Sequence, residues 1–202
     1  KELGLDAAPT PHSCYTMSPR LLSEAAAAGL SSGFLSYHSQ ESQEEEDLIR
    51  YGRGAMYENR RRSLMSTPPV KGTSSLVYFI DSLADIGAVP HPEHVLLVHN
   101  VCTTEQDARA AMQAFKKPYF ALCPLSNLFI HNALPDVEML WKMGLKLTVG
   151  TDSLSSNDNL DMVSEIVCLH ENFPSIPMGE IVRWATVNGA EFLDKEDVLG
   201  SF

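Results

Sequence analysis

Four short apolar runs in this chain are each followed by a residue that could take part in chemistry. His38, His99 and Asp152 follow the first, second and fourth runs, and the pair Cys123-Pro124 follows the third. If the runs are parallel strands with helical crossovers, their carboxyl ends meet on one face, where two imidazoles and a carboxylate would lie together. Such groups are good ligands for zinc or a similar divalent ion. The runs are Phe34 to Tyr37, Val95 to Val98, Tyr119 to Leu122 and Leu145 to Val149.

A second carboxylate, Glu41, lies just past the first predicted strand, in the string His-Ser-Gln-Glu that begins at His38. A metal ion lowers the pKa of bound water to about 7. A neighbouring carboxylate can then pass the released proton to a leaving nitrogen. The pattern therefore indicates hydrolytic chemistry, with Glu41 as a proton shuttle.

Each of these residues also has a simpler explanation. A single histidine at a strand end is more often a hydrogen-bonded structural residue than a ligand. Asp152, which precedes Ser153, could cap the following turn. It is the shared position at strand ends that favours a site. The other histidines lack this placement, and we interpret them as structural or surface residues: His91, His94, His131 and His170.

Helical segments alternate with the predicted strands, which is typical of β/α units around a parallel sheet. Ser18 followed by Pro19 predicts the start of a helix, and Gly29 predicts its end. Apolar residues at helical spacing predict a second helix from Ser75 to Ile86, closed by Gly87. Further helices are predicted after a capping box of Thr103 and Gln106, and over Val137 to Met143, Leu160 to Leu169 and about Met178 to Leu193.

The least regular segment runs from Tyr51 to Thr73 and is rich in Gly, Arg, Ser and Pro. Its length favours an active-site loop over a simple connector. Two charge runs, Arg60 to Arg62 and Glu44 to Asp47, are interpreted as solvated surface. Without an internal repeat or a convincing linker, residues 1–202 are predicted to form one domain.

The composition fits a globular domain without nucleic-acid or membrane partners. Of 202 residues, 44% are hydrophobic, which is enough for a sizeable core. The formal net charge of -11 disfavours binding to a phosphate backbone. No apolar run approaches the roughly 20 residues that cross a bilayer. Four scattered cysteines indicate a reducing compartment, so we expect a cytoplasmic protein.

Longer strings resemble the amidohydrolase superfamily, in the branch of S-adenosylhomocysteine and methylthioadenosine deaminases, guanine deaminase and triazine chlorohydrolases. The most specific are Cys-Pro-Leu-Ser-Asn-Leu at Cys123 to Leu128, and the string from Val149 to Met162 that contains Gly-Thr-Asp. Further strings resemble segments of this branch in the correct order, from barrel strand four to strand eight: Pro11 to Ser18, His38 to Glu41, Leu97 to Asn100 and Ala185 to Ala190.

The resemblance implies an α/β fold, the C-terminal part (about strands 4/5 to 8) of a TIM-type (β/α)8 barrel. It implies that His38 and Asp152 bind the metal, that Asp152 also holds the attacking hydroxide, and that Glu41 is the proton shuttle contacting the substrate ring. His99 would hydrogen-bond the metal-bound water or the substrate, and His12 would contact the substrate. The implied cofactor is one divalent ion, zinc by resemblance, although iron also suits these ligands.

The chain also departs from this branch. Relatives open the barrel with a His-x-His motif on strand one that supplies two metal ligands, and no His-x-His occurs in these residues. Strands one to three, most of strand four and a small β-sandwich have no counterpart either. Leu125 and His131 differ from relatives in a segment that makes part of the substrate contacts, which leaves the substrate open.

Two hypotheses follow from these observations. In the first, the intact parent protein is an enzyme that hydrolyses a C–N or C–Cl bond on a heteroaromatic ring, with deamination of a purine-like substrate favoured. In the second, the chain is a catalytically inactive truncated fragment or an assembly module, because an incomplete metal site binds weakly. In both cases a half barrel would expose two sheet edges, which predicts association into a homo-oligomer such as a dimer.

Overall fold

A computed structural model of the chain describes residues 7–63, 67–89 and 91–201. Within this part, four parallel strands form one sheet in which chain neighbours are also sheet neighbours. The predicted α/β class and all four predicted strands are confirmed, although the second and third begin earlier than their apolar runs. The strands are β1 (Phe34–Ser39), β2 (His91–His99), β3 (Phe115–Leu122) and β4 (Lys146–Val149).

Helices connect the strands and extend the chain beyond the last one. The segments predicted to be helical are confirmed as helices, with shifted ends. In chain order the helices are α1 (Pro19–Ser31), α2 (Gln43–Glu46), α3 (Ala55–Arg62), α4 (Ser75–Ala84), α5 (Glu105–Ala114), α6 (Pro124–His131), α7 (Val137–Lys142), α8 (Met162–Asn172), α9 (Met178–Ala185) and α10 (Val187–Phe192). A π-helical turn at Asp47–Tyr51 continues α2.

One face of the sheet is covered by helices, and the core lies between the two layers. Along β1, Leu35 and Tyr37 are buried while His38 belongs to the alternate set, as the two-residue period of a strand requires. The Tyr37 ring stacks on Phe79 of α4 with centroids 3.8 Å apart. Helix α1 contacts β1, and α5 contacts β3. The His38 side chain therefore lies on the opposite face of the sheet from Leu35 and Tyr37.

Helix α1 starts where the sequence predicted and ends later. The Ser18 side chain accepts a hydrogen bond from the Leu21 N–H, and Pro19 is the first helical residue. The predicted end at Gly29 is wrong, because Gly29 is buried inside the helix and the chain turns at Gly33 instead, with φ of 94°. Gly29 serves close packing: a Cβ there would lie 2.7 Å from the Pro9 carbonyl oxygen.

The capping box ahead of α5 lies one residue later than predicted. Thr104 accepts a hydrogen bond from the Asp107 N–H, and the Asp107 carboxylate accepts one from the Thr104 N–H. The prediction of Thr103 with Gln106 is wrong, because the Thr103 hydroxyl donates instead to the Gln40 side-chain oxygen at 2.8 Å. Thr103 therefore ties the loop after β2 to the loop after β1.

The prediction that the acidic run from Glu44 to Asp47 is solvated surface is wrong for its two central residues, whereas Glu44 is exposed. Glu45 and Glu46 are buried, with exposed fractions of 0% and 5%. Burial of a carboxylate is tolerated when its oxygens accept hydrogen bonds. Glu45 accepts from the main-chain N–H groups of Gln40 and Glu41, and Glu46 accepts from that of Ser75. A charge run read from sequence cannot reveal such partners, because they are main-chain groups.

The segment from Tyr51 to Thr73 contains α3, while residues 64–66 lie outside the described part of the structure. Arg60 of α3 donates a hydrogen bond to the Tyr15 carbonyl oxygen, so the interpretation of Arg60 as purely solvated surface is wrong. Arg61 and Arg62 are exposed, as predicted. Helix α3 therefore contacts the loop that carries His12 and Tyr15.

The last predicted helix is divided at Thr186, whose φ of -130° and ψ of -87° are not helical. The two pieces, α9 and α10, both contact β4. The Asn188 side chain donates to the Leu147 carbonyl oxygen at 2.8 Å, which anchors α10 to that strand.

Two predictions from composition can be compared with the described residues. All four cysteines, Cys14, Cys102, Cys123 and Cys168, are free thiols there. None of the helices in residues 7–63, 67–89 and 91–201 combines the length and apolar character that a membrane span requires.

Gly29→Ala tests the contact between α1 and β1. The added methyl group would press on the Pro9 carbonyl oxygen and on the Leu35 side chain at 3.0 Å. We expect a loss of about 1–3 kcal/mol in the free energy of unfolding, measured by urea denaturation. Gly179→Ala is the matched control, since Gly179 is an exposed helical glycine with open space around it, and it should be neutral or stabilising. Equal effects of the two variants would contradict this account.

Candidate active site

The carboxyl ends of the strands bring together the side chains singled out in the sequence. His38 lies near the end of β1, His99 ends β2, and Asp152 follows β4. The ring centroids of His38 and His99 are 5.2 Å apart, and the His12 ring stacks on His38 at 4.4 Å. Imidazoles from three chain segments thus share one edge of the sheet.

His38 presents a defined ring nitrogen to this edge. Its main-chain N–H donates to the His12 carbonyl oxygen at 2.9 Å, and its Nδ1 lies 3.2 Å from the same oxygen. Because a carbonyl oxygen only accepts, Nδ1 carries the proton and Nε2 keeps its lone pair. Burial, assisted by the neighbouring His99, lowers the pKa of His38, so the ring is neutral near pH 7. A neutral imidazole with a free Nε2 is the form that binds metals.

Asp152 is held as an ionised carboxylate. Burial opposes ionisation, but hydrogen bonds from the Ser156 and Ser126 hydroxyls, at 2.6 and 2.7 Å, outweigh it and lower the pKa of Asp152. Ser156 belongs to the turn after Asp152, so the turn-stabilising role considered from the sequence coexists with an ionised, oriented carboxylate.

The Glu41 carboxylate is contacted from three sides. The Tyr15 hydroxyl donates to its Oε2 at 3.0 Å. Its Oε1 lies 3.8 Å from the His99 Nε2 and 3.6 Å from the His131 Nε2. Its side chain is only 13% exposed. A carboxylate between a phenol and two imidazoles is well placed to accept and return a proton.

From the sequence, His131 was interpreted as a structural or surface residue; the structure places its Nε2 3.6 Å from the Glu41 Oε1. Helix α6 starts directly after β3 and ends at His131, so it carries this ring back over Glu41. The sequence signal was weak, because the histidine lies a full short helix beyond the strand end. Tyr15 was missed for a similar reason, since it approaches Glu41 from a loop.

His99 is buried and fixed by a residue that the sequence analysis did not single out. Its Nδ1 lies 2.9 Å from the Asn127 Oδ1, and Asn127 is itself fully buried. Ser126, its neighbour, holds Asp152. The Ser-Asn pair at the start of α6 therefore orients two of the candidate catalytic side chains, a role that the string itself does not reveal.

Strained backbone concentrates at this edge. The described residues contain six non-glycine residues with positive φ, and four of them lie here: Gln40, His99, Asn100 and Asp152. Such conformations cost about 1–3 kcal/mol each and persist where surrounding contacts enforce them, commonly at functional sites. At Asn100, the side-chain amide donates to the carbonyl oxygens of Leu97 and Ala121, which supplies such contacts.

The remaining predicted residues have distinct outcomes. His12 lies at the site, where burial and the neighbouring His38 lower its pKa, and its Nδ1 contacts the Thr16 hydroxyl at 2.9 Å. Burial raises the pKa of Cys123 well above its usual value, so this thiol stays neutral. His94 is buried against the Phe192 carbonyl oxygen, and His170 is exposed, as expected for a structural and a surface residue. The side chain of His91 lies outside the described residues.

The ligand types at this site suit a metal ion, but there are too few ligands for a complete metal site. His38 offers a neutral imidazole and Asp152 an ionised carboxylate, both of which zinc accepts. Zinc sites usually need about four ligands, of which about three come from protein in catalytic centres. In residues 7–63, 67–89 and 94–201, no three His, Cys, Asp or Glu side chains are arranged to hold a metal ion. The described chain therefore supplies part of a site.

Comparison with known proteins gives a consistent family. Residues 2–202 match the model of the amidohydrolase family. A 5-methylthioadenosine/S-adenosylhomocysteine deaminase of Caldanaerobacter subterraneus is 29% identical over 201 residues, which cover 95% of this chain and 40% of the relative. The chain thus spans about 40% of the length of that curated relative.

Solved structures agree with the fold. Helicobacter pylori aminofutalosine deaminase, crystallised with methylthio-coformycin, superposes with a TM-score of 0.75 at 25% identity over 94% of this chain and 46% of that one. An adenosine deaminase from Xanthomonas campestris with bound zinc gives 0.68 at 21% identity over 95% of this chain and 40% of that one. Because the family model matches nearly all of its length, the chain belongs to the amidohydrolase family.

Proposed function

We propose that the intact protein containing this chain is a metal-dependent hydrolase that deaminates, or dechlorinates, a heteroaromatic ring such as a purine. The observation that carries the proposal is the Glu41 carboxylate, held between Tyr15, His99 and His131 beside the neutral His38. The names of the relatives support deamination of purine-like compounds. In this proposal β1 to β4 are strands five to eight of a TIM-type barrel, which places the site at its usual carboxyl face.

His38 and Asp152 are the residues that would hold the metal, with further ligands supplied from outside the described residues. The ion is zinc by analogy with the relative that contains it, and iron suits the same donors. Such an ion would lower the pKa of the attacking water to about 7.

The chain's own residues would then move the proton and orient the reactants. Glu41 accepts a proton from the attacking water and returns it to the ring nitrogen or the departing amine as the C–N bond breaks. His99, whose Nε2 faces Glu41, hydrogen-bonds the water or the substrate. His12, stacked on His38, lines the substrate side of the site. Asp152, with one oxygen fixed by two hydroxyls, orients the attacking water.

A second candidate has its own supporting observation. The described residues contain no group of three metal-binding side chains, so the chain alone could act as an inactive fragment or an assembly module. Both functions are compatible with the same ancestry. They differ in whether the missing ligands are present upstream in the intact protein, where a His-x-His motif would favour the enzyme.

Glu41→Gln in the intact protein tests the proton shuttle. An amide keeps the shape of the side chain but cannot accept and return a proton, so kcat should fall by about 10²–10⁴. Metal content should stay unchanged, because Glu41 is not assigned as a ligand. Glu44→Gln is the matched control, since Glu44 is a nearby glutamate on α2, just after the loop of Glu41, and is exposed. Full activity of Glu41→Gln in assays with aminated purines would exclude this role.

Metal analysis tests the ligand assignment. Elemental analysis of the intact protein, purified without a metal-affinity tag, should find about one equivalent of zinc or iron. Asp152→Ala should lose it, whereas Asp158→Ala, which removes an exposed carboxylate from the same loop, should retain it. The isolated 202-residue chain should contain far less, because affinity depends on a complete site. A parent protein without metal would favour the inactive alternative.

Solution size tests the proposed association of the isolated chain. Within the described sheet, β1 and β4 each pair with one strand, and hydrogen bonds to Thr10 and His12 occupy only part of the outer edge of β1. Open parallel edges tend to pair with another chain. Light scattering across a dilution series should therefore show a mass above that of one chain, falling on dilution. A monomer at every concentration would contradict the proposed homo-oligomer.

A further inference from the structure

Glu45 is a completely buried carboxylate without a role in the mechanism described so far. It lies on α2, whose N-cap is Ser42, and the Ser42 hydroxyl accepts the Glu45 N–H at 3.2 Å. A glutamate at this position ordinarily reaches back to the N–H of the cap residue itself. Here the side chain reaches further, to the two residues before the cap.

The two carboxylate oxygens of Glu45 bind two successive main-chain N–H groups. Oε1 accepts from Gln40 at 3.2 Å, and Oε2 accepts from Glu41 at 2.8 Å. Gln40 has a φ of 52°, and a left-handed residue in a turn produces the concave pair of N–H groups that binds an anion. The Cys14 thiol also approaches Oε1, at 3.8 Å. Glu45 thus supplies the acceptor oxygens for the turn that carries Glu41.

We propose that Glu45 is the positioning residue for Glu41. Its carboxylate fixes the main chain at Gln40 and Glu41, and thereby fixes the position of the Glu41 Cα. From there the Glu41 side chain extends until its Oε1 lies 3.8 Å from the His99 Nε2 and 3.6 Å from the His131 Nε2. Tyr15 fixes the other end through Oε2. This inference rests on the proposed function of Glu41 as the proton shuttle.

The neighbouring Glu46 provides an internal comparison. It is also buried and carries a comparable number of hydrogen bonds, from the Ser75 N–H at 2.9 Å, the Gln40 side chain at 3.3 Å and Arg50 at 3.1 Å. None of these described contacts reaches the main chain of Glu41. If both glutamates had only a structural role, replacing either one should change kcat by a similar factor. A positioning role instead predicts a larger loss of kcat when Glu45 is replaced than when Glu46 is replaced.

Burial sets the protonation behaviour of Glu45. Its removal from water raises the pKa of Glu45 to about 7, and the hydrogen bonds from Glu41 and Gln40 act against that rise. The carboxylate form accepts both N–H groups at once. A glutamine could accept only one, since its NH2 group would face the other donor.

The test compares Glu45→Gln with Glu46→Gln in the intact protein. Glu45→Gln should lower kcat by about 100-fold with little change in KM, because a small displacement of a reacting group has effects of this size. Glu46→Gln should keep kcat within about threefold of the unchanged protein, even if both variants lose similar thermal stability. Equal losses of kcat in the two variants would overturn the proposal. If Glu45→Gln fails to fold, Glu45→Asp replaces it in the test, because it keeps the charge but has a shorter side chain. Its kcat should likewise fall well below that of Glu46→Gln.

A second readout does not depend on activity. In 15N-labelled protein, the amide protons of Gln40 and Glu41 should be shifted downfield by their bonds to a carboxylate. Glu45→Gln should move the Glu41 signal upfield, and Glu46→Gln should leave it in place. An unmoved Glu41 signal in Glu45→Gln would overturn the positioning role. Absence of turnover in the unchanged intact protein would instead count against the proposed function, while the amide comparison would still decide the role of Glu45.

Discussion

The carboxyl ends of β1, β2 and β3 are fastened to one another by a small set of hydrogen bonds, and the candidate site depends on that alignment. The Asn100 N–H donates to the Ser39 carbonyl oxygen at 2.9 Å, and its side-chain amide donates to the Leu97 and Ala121 carbonyl oxygens at 2.8 and 3.3 Å. One asparagine thus joins three strands just where His38 and His99 emerge. Because these groups are buried, each broken bond would leave an unsatisfied polar group at a cost of about 1–3 kcal/mol. The carboxyl ends of the three strands are therefore held rigidly in place relative to one another.

A buried polar network extends this fastening into the loops. The Gln40 side chain donates to Asp107 at 3.1 Å and to Glu46, and it accepts from Thr103. Asp107 in turn accepts from Ser74, which caps α4. Hydrogen bonds from Ser74, Thr104 and Gln40 overcome the effect of burial and lower the pKa of Asp107, so it remains an ionised acceptor. Such a network specifies one loop arrangement, because partial satisfaction in a buried environment is costly.

The strands could be predicted from the sequence because each contains a short run of apolar residues. Their carboxyl ends could be predicted because a polar residue follows each run. His38, His99 and Asp152 were found through that local rule. Residues that reach the site from elsewhere were not found, as Tyr15 and His131 illustrate. The burial of Glu45 was missed for a related reason, since its partners are main-chain N–H groups of a left-handed turn, which no side-chain pattern encodes. A single sequence shows local residue patterns, but it does not show which residues distant along the chain come into contact.

The charge balance of the site explains why this arrangement suits a cation. Burial lowers the pKa of His12 and His38, which leaves both imidazoles neutral near pH 7. Hydroxyl hydrogen bonds hold Asp152 ionised at the same edge. Neutral nitrogen donors around a fixed carboxylate give a local excess of negative charge and lone pairs, which a divalent ion would neutralise. Asp152 is exposed in the described chain, whereas His99 is almost fully buried, so the site is more open at Asp152, after β4, than at His99, at the end of β2. Under the proposed function, further metal ligands would therefore approach Asp152 from this more exposed side.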